Sequence, residues 1–405
     1  VAVLIRWRRA VPVALALVLV PALPVQADEV RGSQQKVIDT LALPQAWRVT
    51  KGKGVTVAVL DSGVDPEHRD LAGSVIVGKD FTEGANPPGV APRQLHGTYM
   101  ASLIAGHGHG PGGGEGVIGV APEARLLSVR VILEDEEEGF DAFNSDGRFE
   151  NVVANGIRYA VDRGADVINM SISKELATKE ERAAVRYAIS KGVVLVAAAG
   201  NDGAGKKGAN GFAPYSYPAA FPGVVSVAAT DQGARRASFS NDNPSVTVAA
   251  PGVDILGAGP GDEYWVGRGT SQASALVSGV AALVKSKYPK LSPALVAQAL
   301  TAGAVRGTKG GYDTGTGFGV VNASRSLAAA QRLAKHTHVA RTAQNPDQAL
   351  GPGPADPIQI VRRDRRHIAL YGAIALAGAL GAVLSVGAIV FVVKRARRTY
   401  SYHDA

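Results

Sequence analysis

The sequence predicts an α/β fold, a mostly parallel sheet with helices on both faces, followed by one C-terminal transmembrane helix. Three observations predict it. Short apolar, β-branched runs of the kind that fill a fully buried strand recur at Val55–Leu60, Arg125–Ile132, Asp166–Ser173, Val193–Ala198, Val224–Ala229 and Val246–Ala249. Stretches with helical spacing lie between them, at Gly97–Ala105, Val152–Arg163, Glu180–Lys191 and Ser274–Lys287; such alternation implies parallel strands joined by crossover helices. Ile368–Val393 then runs 26 residues without a charge, which is long enough to cross a bilayer.

The ends of the chain read as targeting segments. Arg6, Arg8 and Arg9 precede the apolar run Val11–Leu23 and the small-residue stretch Val25-Gln26-Ala27, the pattern of a cleaved signal peptide over residues 1–27. The body then covers 28–335, with a short N-terminal extension over 28–50. Residues 336–367, rich in Pro, Gln, Asp and Gly, read as a linker. The transmembrane helix is placed at 368–393 and a cytoplasmic tail at 394–405. Basic residues flank that helix on both sides, Arg362, Arg363, Arg365 and Arg366 before it and Lys394, Arg395, Arg397 and Arg398 after it. The positive-inside rule therefore ties, and the export signal decides the orientation: a single-pass cell-membrane protein with its body extracytoplasmic.

Composition narrows the chemistry. Apolar residues make up 46% and charged residues 19%, which excludes wholesale disorder. The net charge is +8, but much of it sits beside the two apolar end segments and not in a stripe on a folded face, so no nucleic-acid partner is expected. There is no cysteine, which removes disulfides, thiol nucleophiles and thiolate metal sites.

Four residues stand where chemistry collects in a parallel sheet, beyond the carboxyl ends of strands or at helix starts. Asp61 ends Val-Ala-Val-Leu-Asp, where a fixed carboxylate can orient an imidazole. His96 opens a small-residue helix and is the natural general base near neutral pH. Ser271 starts a buried helix whose free N–H groups suit a developing oxyanion. Asn201 follows a strand at a Gly turn, where its amide can be a second donor. Taken singly, each has a bland reading as a helix cap or turn residue. A lipase or esterase is excluded, since no Gly-x-Ser-x-Gly elbow follows a strand ahead of an acid and a late histidine. His107 and His109, in a Gly-rich loop, are expected to face solvent. The acidic insert Leu133–Glu150 is expected to be a solvated loop, with a calcium site as its alternative reading. No cofactor and no metal ligand are predicted.

The surrounding words change the weighting. Asp61-Ser62-Gly63, His96-Gly97-Thr98, Ala199-Gly200-Asn201 and Gly269-Thr270-Ser271 occur in that order, supported by Gly119-Val120-Ala121-Pro122 and Ala250-Pro251-Gly252-Val253. Over Lys53–Ala329 the chain resembles the subtilisin-like serine peptidases (peptidase S8). The resemblance implies a subtilisin-like fold with Ser271 as nucleophile, His96 as base, Asp61 as its orienting acid, and Asn201 with the Ser271 N–H at the oxyanion. It also implies a substrate cleft lined by Ser171, Ile172 and Ser173 on one side and Ala198, Ala199 and Gly200 on the other. Ser173 stands where the family commonly has Gly, and Gln272, Ser274 and Ala275 stand where it usually has Met, Thr and Pro.

The order of signal peptide, short extension, peptidase body, linker and single span is similar to the mycosins of type VII secretion systems. That resemblance implies a membrane-anchored extracytoplasmic serine endopeptidase working through an acyl-enzyme. Its partners would be a protein or peptide substrate, the membrane and a type VII secretion complex. The alternative is a structural subunit that stabilises a secretion complex with proteolysis dispensable.

Overall fold

The computed structural model describes residues 22–205, 207–305, 311–336 and 365–400. Contacts divide the chain into two units, Val1–Ala340 and Arg341–Ala405.

The first unit is built on a seven-stranded sheet. Its strands are β1 (Thr56–Asp61), β2 (Val75–Asp80), β5 (Arg125–Arg130), β6 (Val167–Met170), β7 (Val194–Ala198), β8 (Val224–Thr230) and β9 (Val248–Pro251). They lie in the order β2-β5-β1-β6-β7-β8-β9, and every pairing is parallel. Two hairpins stand apart from the sheet, β3 (His107–His109) with β4 (Glu115–Ile118) and β10 (Ile255–Gly259) with β11 (Glu263–Gly267).

Helices cover both faces, and the pleat divides the core between them. Val57 and Val59 of β1 join one apolar cluster, whereas Ala58 and Leu60 join the other, as side chains alternate across a strand. The first cluster takes in α3 (Leu95–Ala105), α7 (Thr270–Lys287), α8 (Pro293–Gly303) and α9 (Ala323–His336), through residues such as Met100, Val280, Leu300 and Leu327. The second takes in α5 (Val152–Asp162) and α6 (Lys179–Ser190), through Ile157 and Val185. Residues Gln272–Lys285 of α7 are buried without a break. Ala, Gly, Ser and Val make up most of that run, so neighbouring elements can approach it from every side.

The predicted central strands and helices are present, with ends trimmed, shifted or extended by a few residues. Three differences bear on the site. Helix α7 begins at Thr270, four residues before the expected start, which places Ser271 inside its first turn. The edge strand β2 was not foreseen; its outer residues are exposed in alternation and give no continuous apolar run. The extension is helical, as α1 (Ala22–Thr40) and α2 (Leu43–Trp47). Arg31 in α1 donates to the carbonyls of Gly113, Glu115 and Gly116, and Gln34 exchanges hydrogen bonds with the Ile118 backbone, which fasten the extension to the β3–β4 hairpin. Helix α4 (Phe140–Ser145) lies in the acidic insert. Of the expected signal peptide, residues 1–21 lie outside the described residues, as do 337–364 of the expected linker and 401–405 of the tail.

In the second unit, helix α10 (Arg365–Tyr400) contains the stretch Ala373–Val392, 20 residues with a mean hydropathy of 2.4. By length and composition it can cross a membrane.

Candidate active site

The site grows from the carboxyl end of β1, near the middle of the sheet. Asp61 ends this buried strand and is fully enclosed. Its Oδ1 accepts hydrogen bonds from the Ser62 N–H (2.8 Å) and from His96 Nδ1 (2.7 Å). A carboxylate partner places the ring proton on Nδ1, leaving Nε2 of the neutral ring as an acceptor. His96 stands at the second residue of α3 with its side chain 31% exposed. The glycine after it has a physical reason. A Cβ on Gly97 would lie 1.9 Å from the Gly63 carbonyl oxygen, so only Gly lets the imidazole-bearing turn press against the Asp61-Ser62-Gly63 loop.

Burial alone would lower the His96 pKa. The Asp61 carboxylate, by its charge and by its hydrogen bond, and the charges of Glu134 and Asp135 together outweigh it. The result lies above the ordinary 6.5.

Ser271 is carried in the first turn of α7. Its hydroxyl donates to the Ser171 carbonyl at 3.2 Å, while Ser171 Oγ donates to the Ser271 carbonyl at 3.0 Å. A buried polar ladder fixes this junction. Asn169 donates to Ser171 Oγ at 3.0 Å and accepts from Ser278 Oγ at 2.9 Å, and Ser274 sits between them, 2.9 Å from Ser171 Oγ. The structure thus uses Ser274, one of the departures from the family pattern, to tie α7 to the end of β6. No hydrogen bond joins Ser271 to His96 among the described residues; the pair Asp61–His96 is made and the serine hydroxyl rests on Ser171.

Asn201 follows β7. Gly200 has φ +103°, a conformation that favours Gly, and a Cβ there would lie 2.4 Å from the amide of Asn241. Fully buried Asn241 organises this turn, donating its backbone N–H to the Gly200 carbonyl (2.9 Å) and accepting from the Asp202 N–H (2.7 Å). Asn201 Oδ1 accepts from the Thr270 N–H and hydroxyl, at 3.0 and 2.9 Å. This orients the amide, so that Nδ2 is presented beside the Gly269-Thr270-Ser271 backbone.

The expected cleft segments lie on neighbouring strands, after β6 and at the end of β7. Ser171, Ile172, Ala198 and Ala199 are buried, whereas Ser173 is exposed. Ser173 Oγ is hydrogen-bonded to Ser216 Oγ at 2.5 Å and lies 3.2 Å from where a Cβ on Gly200 would stand. Its hydroxyl thus reaches from one segment towards the other. A cavity of about 600 Å³ opens beyond Ile172 and Ser173, with Ile132, Phe143, Phe149 and Leu176 among its lining residues.

Two expectations fail. The acidic insert is not uniformly solvated: Asp135, Glu136, Glu138, Asp141 and Glu150 are exposed, but Glu134 and Glu137 are only 8% and 5% exposed. Their oxygens meet Ser62, His96, Arg130 and Asn86. His109 does not simply face solvent either; its Nδ1 is 2.6 Å from buried Asp70. Glu134 was missed because its acidic neighbours read as a charge run. Its position was the usable signal, just past the carboxyl end of β5, the strand beside β1. Among the described residues, no group of three or more His, Asp or Glu could hold a metal ion.

A parallel sheet bearing an acid–imidazole pair and a helix-borne serine at its carboxyl edge is the build of a serine hydrolase. The sequence profile of the subtilase family, peptidase S8, matches residues 52–319, and the chain belongs to that family. It is 37% identical to thermitase of Thermoactinomyces vulgaris over 281 residues, 69% of this chain and 92% of that protein. Two solved structures are similar to it. One is MycP3 protease from the type VII (ESX-3) secretion system (33% identity, TM-score 0.59, covering 72% of this chain and 87% of that one). The other is MycP1 from Mycobacterium smegmatis (29%, TM-score 0.60, 80% and 88%). The chain is a subtilisin-like serine endopeptidase, similar in structure to these mycosins.

Proposed function

We propose that Ser271 is the nucleophile, His96 its general base, Asp61 the acid that orients His96, and Asn201 with the Ser271 N–H the oxyanion site. The observation that carries this reading is the 2.7 Å contact between enclosed Asp61 and His96 Nδ1, which turns Nε2 into the proton acceptor. The Ser271 hydroxyl rotates from the Ser171 carbonyl to Nε2 and attacks the substrate carbonyl as its proton passes to the ring. The oxyanion then faces Asn201 Nδ2 and the first turn of α7, whose N–H groups lack intrahelical partners. His96 returns the proton to the leaving amine, and water hydrolyses the acyl-enzyme by the same route. Ser171–Ser173 and Ala198–Gly200 line the cleft, where substrate pairs as an added strand.

The enzyme is further proposed to be anchored by α10 with its catalytic unit extracytoplasmic, and to work beside a type VII secretion membrane complex. The apolar span Ala373–Val392 and the likeness to mycosins support this. Ser271→Ala in the full chain is the test. The variant should lose labelling by a fluorophosphonate and all peptide cleavage while keeping the wild-type melting temperature. Retained cleavage would refute Ser271 as nucleophile. Secretion measured in the same cells shows whether the secretion role depends on cleavage, and deletion of residues 365–405 should release the catalytic unit from the membrane fraction.

A further inference from the structure

We propose that Glu134 is a positioning residue for His96, clamping the imidazole-bearing turn and the Ser62 hydroxyl on one carboxylate oxygen while facing the ring with its charge. The inference rests on the peptidase reading above and extends it to a residue of the acidic insert.

The first N–H groups of a helix need partners from elsewhere. Gln94, which precedes α3, makes no capping bond with its side chain. Glu134 supplies the missing acceptor: its Oε1 takes the His96 N–H at 2.8 Å. The next N–H, from Gly97, goes to Ser62 Oγ at 3.0 Å, and Ser62 Oγ donates its own proton to the same Glu134 oxygen at 2.6 Å. The Ser62 N–H in turn donates to Asp61 Oδ1, the oxygen that holds the imidazole. A closed ring results, running from Glu134 to the His96 backbone, through the imidazole to Asp61, on to Ser62 and back to Glu134. The backbone of the imidazole-bearing turn and the carboxylate that holds the ring are thus tied to the same two side chains, Glu134 and Ser62.

Glu134 is itself held from behind. Its N–H donates to Glu137 Oε1 at 3.1 Å, and Glu137 Oε2 receives Arg130 Nη2 at 2.6 Å. Arg130 also donates to the Ser62 carbonyl at 3.1 Å and to Asp80 at 3.0 Å. Arg93, 38% exposed, lies 3.7 Å from Glu134 Oε2 and 3.3 Å from Glu136. The charged groups around the imidazole and this clamp are therefore Asp61, Glu134, Asp135, Arg93, Arg130 and Glu137, with Glu136 and Asp80 paired to the two arginines. An anion at the start of α3 also complements the helix dipole.

Three variants of the full chain in detergent test this, with active sites counted by fluorophosphonate and kcat and KM measured against pH. Glu134→Gln keeps an acceptor oxygen but removes the charge; the midpoint of the acid limb of kcat/KM should fall by about one pH unit. Glu134→Ala also removes the acceptor, and kcat per active site should fall roughly 10–100-fold with KM little changed. Glu134→Asp should recover part of that loss. If Glu134→Ala fails to fold, the limb shift of Glu134→Gln and the partial recovery in Glu134→Asp carry the test. An unmoved acid limb in Glu134→Gln, or variants that lose only melting temperature while kcat per site stays at the wild-type value, would overturn the proposal. Wild-type protein that takes no fluorophosphonate and cleaves no peptide would instead overturn the peptidase reading beneath it.

Discussion

Asn201 Oδ1 is gripped twice by Thr270, through its backbone N–H at 3.0 Å and its hydroxyl at 2.9 Å. The same hydroxyl accepts from the Gly200 N–H at 3.2 Å, which ties it to the turn that carries Asn201. Thr270 thus fixes the Asn201 amide so that Nδ2, the proposed oxyanion donor, is the end left free of this grip. Asn201→Ala is expected to lower kcat by about 10²–10³ with little change in KM, the usual cost of one oxyanion donor. Thr270→Val removes one of the two grips and should cost less. Steady-state kinetics on a peptide substrate checks both, and a Thr270→Val loss as large as that of Asn201→Ala would contradict this division.

The raised pKa of His96 sets the pH dependence. Catalysis needs the neutral ring, so kcat/KM should rise with pH through a midpoint above 6.5, the ordinary histidine value. Stability has the opposite sign. A folded pKa above the unfolded one means that the native state binds the proton more tightly. The resulting stabilisation is complete below the unfolded value and is lost as pH rises through the folded one. The gap in melting temperature between wild type and His96→Gln should therefore narrow from pH 5.5 to pH 9, and a constant gap would contradict the assignment.

Gly97→Ala should be poorly tolerated, because its methyl would stand 1.9 Å from the Gly63 carbonyl oxygen, an atom of the backbone with no side-chain freedom. A loss of about 1–3 kcal/mol in urea unfolding is expected, typical of overpacking. Activity should fall beyond what the unfolded fraction explains, since the displaced parts carry Asp61 and His96.

The Ser173 hydroxyl, bonded to Ser216, reaches from one proposed cleft segment towards Gly200 of the other, so small side chains should be preferred immediately before the scissile bond. Ser173→Gly removes this bridge. The ratio of kcat/KM for phenylalanine over alanine at that substrate position should rise by roughly 10-fold, the scale of a modest change in pocket volume. An unchanged ratio would show that Ser173 does not limit the pocket.

The parts legible in the sequence are those whose burial is continuous. The strands ending at Asp61 and Ala198 and the helix that carries Ser271 are buried along almost all of their length, so their apolar runs stand out. Strand β2 was illegible because Val77 is 68% exposed and its neighbours alternate. Glu134 and Glu137 were illegible for the opposite reason: their burial depends on Arg130 and on the start of α3, which reach the insert only through the fold. Periodicity reports what one segment hides from water, and says nothing of an acid whose partners come from three others.

Because α7 is wrapped by protein along nearly its whole length, the serine at its tip has no separate fate from the molecule. Burial of Gln272–Lys285 ties release of this helix to loosening of the core around it, so fraying of exposed ends elsewhere should leave the serine in place. On heating, hydrolysis and native structure should disappear in one transition, without an inactive but still ordered species between them.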